Sequence, residues 1–274
     1  MTRATRRRKR EGRLRAVWTT AGGLRLHARR SATAPRGPPP LVLVHGFGVS
    51  SRYMVPLAER LAAELDVWAP DLPGHGRSQA PARALTVPEL ADALLAWMDA
   101  VGLQRPALLG NSMGCQVLID LAARRPDRVG PLVLVGPTVD RFHRSVPGQA
   151  VRLVATGLFE RKSILGVLAL DYARMLPRIP GELRAAMDDR PEAKAPRVRA
   201  RSIVVRGEHD LLTTMPWVTE LAARLRSDAV HVVPWWGHAL NYSAPDALAR
   251  IVRAFLSAAA APRRPRRAVR VTGS

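Results

Sequence analysis

Two alternating patterns of apolar positions run along this chain. Short unbroken apolar runs recur at Leu41-Val42-Leu43-Val44, Val67-Trp68-Ala69, Ala107-Leu108-Leu109, Leu132-Val133-Leu134-Val135, Ile203-Val204-Val205 and around Val230-His231-Val232-Val233. Between them, apolar residues recur every three to four positions at 55–64, 88–101, 115–124, 216–226 and 245–259. Unbroken apolar strands suit a sheet covered on both faces, and strands that alternate with helices join in parallel. Before the first run, Val17-Trp18-Thr19-Thr20 and Leu24-Arg25-Leu26-His27-Ala28 flank Ala21-Gly22-Gly23, the pattern of a hairpin. The predicted fold is therefore α/β: a mostly parallel eight-stranded sheet with an antiparallel N-terminal hairpin and helices on both faces.

One segment breaks this rhythm. Residues 138–198 are helix-compatible, Arg-rich and moderately apolar, notably at 150–159 and 164–176. An insertion after a strand of a parallel sheet gathers at the carboxyl edge, where ligands bind. The segment is expected to form a helical lid over that edge.

Composition narrows the class. At 274 residues and 47% hydrophobic, the chain is long enough for one large core or two small domains. No apolar run approaches the ~20 residues that cross a bilayer. The basic N-terminus is followed by Glu11-Gly12-Arg13-Leu14-Arg15, not by a signal-peptide core. The only cysteine, Cys115, excludes an internal disulfide and suits a buried packing role in a reducing cytoplasm. The net charge is +21, of which residues 1–15 carry +7 and residues 261–274 carry +5. Both tails are expected to be disordered, flanking one domain at 16–260. Arg-rich tails can bind anionic surfaces. No aromatic residue interleaves their arginines, however, and nucleic acid is not an expected partner.

Candidate chemistry begins at Gly110-Asn111-Ser112-Met113-Gly114, which reads G-x-S-x-G between a strand and a helix. A strand that reverses sharply into a helix strains the corner residue and exposes its side chain. Glycines two before and two after let strand and helix pass. Ser112 is thus the candidate nucleophile, with the Met113 N–H facing the same space. A serine hydroxyl needs a base, and the base needs a group to orient it. His238, in the loop after the last strand, is the candidate base. Asp210, in Gly207-Glu208-His209-Asp210 after another strand, is the candidate acid, with Asp140 and Glu208 as rivals. A second oxyanion donor is expected from His45-Gly46-Phe47-Gly48, at the Phe47 N–H. His45 has no partner at metal-ligand spacing and reads as a structural loop residue. Asp71-Leu72-Pro73-Gly74-His75-Gly76-Arg77-Ser78 lacks the ending of a phosphate-binding loop and reads as a tight structural turn. No metal or cofactor site is expected.

Four of these motifs, in order, resemble those of α/β-hydrolase-fold enzymes over about residues 16–260: the His45–Gly48 loop, the D-x-P-G-x-G-x-S loop at 71–78, the elbow, and Gly207–Asp210 with Gly237-His238. The resemblance implies Ser112, Asp210 and His238 as a triad. Haloalkane dehalogenases and epoxide hydrolases of this fold carry Asp at the elbow, unlike Ser112. The G-N-S-M-G elbow is similar to that of meta-cleavage-product C–C hydrolases. Those enzymes usually have Trp where this chain has Ala239, and commonly Gly where it has Cys115.

The expected function is a serine hydrolase acting on a small or medium, mainly apolar carboxylic ester. The alternatives are a C–C bond hydrolase or a non-catalytic binding protein on the same scaffold. The expected partner is a small-molecule ester or acyl substrate. Phe47, Trp236, Phe142 and Phe159 are the expected pocket walls. Leu153, Val154, Leu158, Leu165, Leu168 and Leu176 of the lid are expected to help line an acyl pocket.

Overall fold

The four-residue runs Leu41–Val44 and Leu132–Val135 are fully buried along their length. Successive side chains on a strand point to opposite faces. Val42 and Val44 accordingly join one apolar cluster, while Leu41 and Leu43 join the other. Both faces must then be covered by helices, and they are. A computed structural model describes residues 14–33, 39–260 and 270–273 of the chain.

The strands are β1 (Leu14–Ala21), β2 (Leu24–Ser31), β3 (Leu41–Val44), β4 (Val67–Pro70), β5 (Ala107–Asn111), β6 (Leu132–Val135), β7 (Ser202–Gly207), β8 (Ala229–Val233) and β9 (Arg270–Gly273). They form one sheet in the order β1-β2-β4-β3-β5-β6-β7-β8-β9. The β1–β2 and β2–β4 pairs are antiparallel, and the rest are parallel. The order reverses around β3, so the loops leaving β3 and β5 open side by side at the carboxyl edge. Binding crevices form there in such sheets.

One face is covered by α1 (Ser51–Leu61) and later by α10 (Pro245–Ala260), which bury Met54, Leu57, Leu248 and Val252 against the sheet. The other is covered by α2 (Val87–Ala100), α3 (Met113–Arg124) and α8 (Met215–Leu225), which bury Leu94, Trp97, Leu118 and Trp217. A fully buried side chain of this size contributes about 1.5–3 kcal/mol. The start of α2 carries a capping box: Thr86 accepts from the Glu89 N–H, and Glu89 accepts from the Thr86 N–H.

Between β6 and β7 the chain forms the helical insertion anticipated from its pattern. It contains α4 (Val146–Thr156), α5 (Ile164–Met175), α6 (Ile179–Asp188) and α7 (Pro191–Lys194). A short helix, α9 (Leu240–Ser243), follows the last sheet loop.

Among the described residues the sheet has nine strands where eight were expected. The ninth lies in the segment read as a disordered tail. Arg270–Gly273 pairs in parallel with β8, from Ala229↔Arg270 to Val232↔Gly273. An edge strand leaves a row of backbone donors and acceptors unpaired, which a further strand satisfies. Residues 261–269 and the expected N-terminal tail up to residue 13 lie outside the described residues.

Candidate active site

Ser112 stands at the corner between β5 and α3 with φ 56° and ψ −124°. Few non-glycine residues adopt such a conformation, because Cβ crowds the backbone. The surrounding glycines make the corner feasible. A Cβ on Gly110 would lie 2.7 Å from the Gly114 carbonyl, and one on Gly114 would lie 2.7 Å from the His45 carbonyl oxygen. The next residue, Cys115, is fully buried, and its thiol donates to the Gly110 carbonyl at 3.1 Å. Burial pushes that thiol well above its usual pKa, so it is inert packing rather than a reactive group.

The structure brings Asp210 and His238 together. His238 Nδ1 lies 2.8 Å from Asp210 Oδ2. The carboxylate also accepts from the Leu212 N–H at 2.9 Å, the Thr213 N–H at 3.1 Å and the Thr213 hydroxyl at 2.5 Å. Burial raises the Asp210 carboxyl, but the facing imidazole and these hydrogen bonds outweigh it, and it titrates below its usual range. Burial works to lower His238. The Asp210 charge and hydrogen bond outweigh that, and the imidazole is held above its usual value. His238 Nε2 is buried and, among the described residues, has no hydrogen-bond partner. The Ser112 hydroxyl lies 3.3 Å from Thr138 Oγ1 instead.

Both rival acids are engaged elsewhere. Asp140 accepts from the Phe142 N–H at 2.9 Å, the Thr214 N–H at 3.1 Å and the Thr214 hydroxyl at 2.6 Å, which ties the loop after β6 to the start of α8. Glu208 accepts from the Trp235 N–H at 3.0 Å.

The loop after β3 abuts the elbow. A Cβ on Gly46 would meet Ser112 Cβ at 2.9 Å. Among the described residues, the N–H groups of Phe47 and Met113 donate to no other group. His45 is fully buried: its Nδ1 donates to the Gly46 carbonyl at 2.8 Å, and its Nε2 accepts from the Leu72 N–H at 3.0 Å. Burial lowers its pKa to about 4, so it is neutral at physiological pH. Asp71 anchors the neighbouring turn by accepting from His27 at 2.8 Å, the Ser51 N–H at 2.6 Å and the Arg77 N–H at 2.9 Å.

The expected pocket walls fare unevenly. Phe47 packs edge-on against Tyr172 at 6.0 Å between ring centres. Trp236 is half-buried beneath the guanidinium of Arg161. The Phe159 ring stacks on His209 at 4.2 Å, and Phe142 is half exposed against Arg141. Val154, Leu158, Leu165 and Leu176 stand largely in solvent. The pattern of apolar positions reports their helical spacing, not which helix face meets the cleft.

Four residues near the site were not singled out from the sequence. Thr138 contacts Ser112. Asn111 donates from Nδ2 to the carbonyls of Val135 and His238, both at 3.2 Å, and so ties the His238 backbone to the elbow. Gly136 makes room for the Asp210–His238 pair. Glu160 reaches in from the insertion: it accepts from the Ala239 N–H at 2.7 Å and from the Ser243 hydroxyl. Burial raises its carboxyl above the usual range. The only sequence signal for Glu160 is its acidity within an Arg-rich segment.

The family model of the alpha/beta hydrolase fold matches residues 39–161. Over 100 residues the chain is 43% identical to the pimeloyl-[acyl-carrier protein] methyl ester esterase of Aromatoleum aromaticum, covering 36% of this chain and 37% of that protein. The chain thus matches well under half the length of that relative. Over 252 residues it is 25% identical to the 2-hydroxy-6-oxo-6-phenylhexa-2,4-dienoate hydrolase of Burkholderia cepacia, covering 79% of this chain and 87% of that protein. The crystal structure of a bacterial membrane phospholipase A superposes with a TM-score of 0.77 at 22% identity, covering 94% of this chain and 91% of that one. No helix among the described residues is long and apolar enough to cross a membrane. With its sheet order, its elbow and these matches, the chain has the α/β-hydrolase fold.

Proposed function

We propose that this chain is a serine hydrolase that cleaves a small or medium, mainly apolar carboxylic ester through an acyl-enzyme. The observation that carries this reading is the conjunction at the elbow. Ser112 is held at φ 56° on the edge where a buried, Asp210-paired His238 keeps Nε2 unpartnered.

In this reading His238 Nε2 takes the Ser112 proton as Oγ bonds to the acyl carbon. Asp210 holds the Nδ1–H tautomer and stabilises the imidazolium. The N–H groups of Phe47 and Met113 receive the oxyanion of the tetrahedral intermediate. Its collapse breaks the ester C–O bond, and the leaving alkoxide takes the proton from His238. Water then repeats the sequence on the acyl-enzyme, releasing the acid and restoring Ser112. The hydroxyl must swing from Thr138 toward His238 for the first step, a tightening common between free and substrate-bound sites. The lone, buried Cys115 suits a cytoplasmic location.

A second reading, cleavage of a C–C bond in a dienoic keto acid, is favoured by the G-N-S-M-G elbow and by the relative matched over 252 residues. The test is a fluorophosphonate probe with the labelled peptide mapped, alongside p-nitrophenyl esters of graded chain length and a dienoic keto acid. Labelling of Ser112, loss of labelling in Ser112→Ala, and turnover of esters of about four to eight carbons support the ester reading. Strong turnover of the keto acid with weak ester cleavage selects the second reading. An unlabelled Ser112 with no turnover rejects both.

A further inference from the structure

Large apolar side chains in solvent are concentrated on the insertion. Val151, Val154 and Leu158 are 69%, 76% and 84% exposed, and Leu165, at the start of α5, is 65% exposed. Positions 151, 154 and 158 are spaced three and four residues apart, so they run along one side of α4 into the 3-10 turn that ends it. The turn between Leu158 and Leu165 presents exposed Arg161 and Lys162. Among the described residues neither has a carboxylate within ion-pair distance, although Arg161 also rests over Trp236.

On the insertion itself the exposed charge is one-sided for a structural reason, although Glu208 of the neighbouring loop is a half-exposed carboxylate bonded to the Trp235 N–H. The insertion's carboxylates Asp140, Asp171, Glu182 and Asp189 are buried, and Glu160 is turned inward onto Ala239 and Ser243. Those left outside, Asp188 and Glu192, are paired with Arg184 and Arg144. Among the described residues, no unpaired carboxylate of the insertion therefore faces solvent along α4 and its following turn, where the exposed apolar side chains, Arg161 and Lys162 have only Gln149 and Ser163 as neutral polar neighbours.

We propose that this ridge docks on an anionic lipid surface, with Val151, Val154, Leu158 and Leu165 entering the acyl boundary and Arg161 and Lys162 meeting the headgroups. A narrow apolar row that ends in two unpaired cations fits the bilayer interface, where apolar depth and headgroup charge act together. A stable protein interface needs a broader patch, about 800 Å² per partner, with few charges at its centre. The net charge of +21 would draw the chain toward such a surface from a distance. The inward hydrogen bonds of Glu160 join the cationic turn to the His238 loop, so docking would hold the candidate site close to the lipid. The inference does not depend on which bond the site cleaves.

The test is co-sedimentation of the full chain with vesicles of phosphatidylcholine alone and with about one third phosphatidylglycerol, at low and high salt. Binding should require the anionic lipid and weaken with salt. Val154→Asp with Leu158→Asp, and separately Arg161→Glu with Lys162→Glu, should each weaken it about tenfold or more, with melting profiles checking that each variant is folded. No binding to anionic vesicles, equal binding to phosphatidylcholine alone, or undiminished binding by both folded variants would each overturn the proposal. The last result would move the binding elsewhere on the chain. A wild-type dimer that becomes monomeric in Val154→Asp/Leu158→Asp, without vesicle binding, would assign the ridge to self-association and also overturn it.

Discussion

Gly136 lies so close to the imidazole of His238 that a Cβ on it would stand 2.7 Å from Nδ1 and 3.0 Å from Asp210 Oδ2. Its φ of +52° is also one that L side chains rarely adopt. The residue that follows β6 thus has no side chain, and the Asp210–His238 pair occupies the space. Gly136→Ala should lower kcat/KM for p-nitrophenyl esters by tenfold or more, by pushing His238 off Asp210. It should also cost about 1–3 kcal/mol of stability from backbone strain. Kinetics and urea denaturation of the same preparation check both. Wild-type turnover in Gly136→Ala would show that the imidazole does not depend on this space.

The two buried aspartates at the carboxyl edge divide their work, and substitution should separate them. Asp210→Asn should reduce kcat by about 10³–10⁴-fold, because the imidazole loses its tautomer and its counter-charge. Asp140→Asn should leave most turnover in place and instead reduce stability by about 1–2 kcal/mol, because the Asp140 carboxylate holds Thr214, the residue before α8, by two hydrogen bonds. A collapse of kcat in Asp140→Asn with Asp210→Asn still active would reverse the assignment.

The pH dependence follows from the direction of the His238 shift. A base must be unprotonated to act, and His238 is held above its usual value by Asp210 and, further off, by Glu160. The rate should therefore fall as pH drops through a midpoint above about 6.5. Glu160→Gln removes a nearby negative charge while keeping an acceptor for the Ala239 N–H. It should shift the midpoint downward with little change in the plateau. Glu160→Ala should also lower the plateau, since the loop carrying His238 and the α9 that follows it each lose a hydrogen bond. An unmoved midpoint in both variants would reduce Glu160 to a structural role.

The ninth strand changes what truncation should do. Removing residues 263–274 deletes β9 and exposes the edge of β8, so Tm should fall by about 2–4 °C, or about 1 kcal/mol, with ester turnover retained. Differential scanning calorimetry on the shortened chain checks this. An unchanged Tm would mean that β9 adds nothing to the stability of the sheet in solution.

Much of the frame was legible in the chain itself. Each fully apolar four-residue run became a strand buried on both faces, because no other short element hides every side chain. The glycine spacing around Ser112 announced the elbow, because strand and helix backbones approach there within van der Waals contact. These are short-range constraints, and neighbouring residues carry them. Tertiary packing decided what short range could not. Asp210, Glu208 and Asp140 all follow strands at one edge. Only the folded geometry directs the first to His238, the second to Trp235 N–H and the third to Thr214. Helical spacing alone likewise could not tell that Val154 and Leu158 face water, that Glu160 turns inward to Ala239, or that residues 270–273 pair with β8. Those outcomes depend on contacts between residues far apart in sequence, and burial and hydrogen-bond competition resolve them only once the sheet and its insertion are assembled.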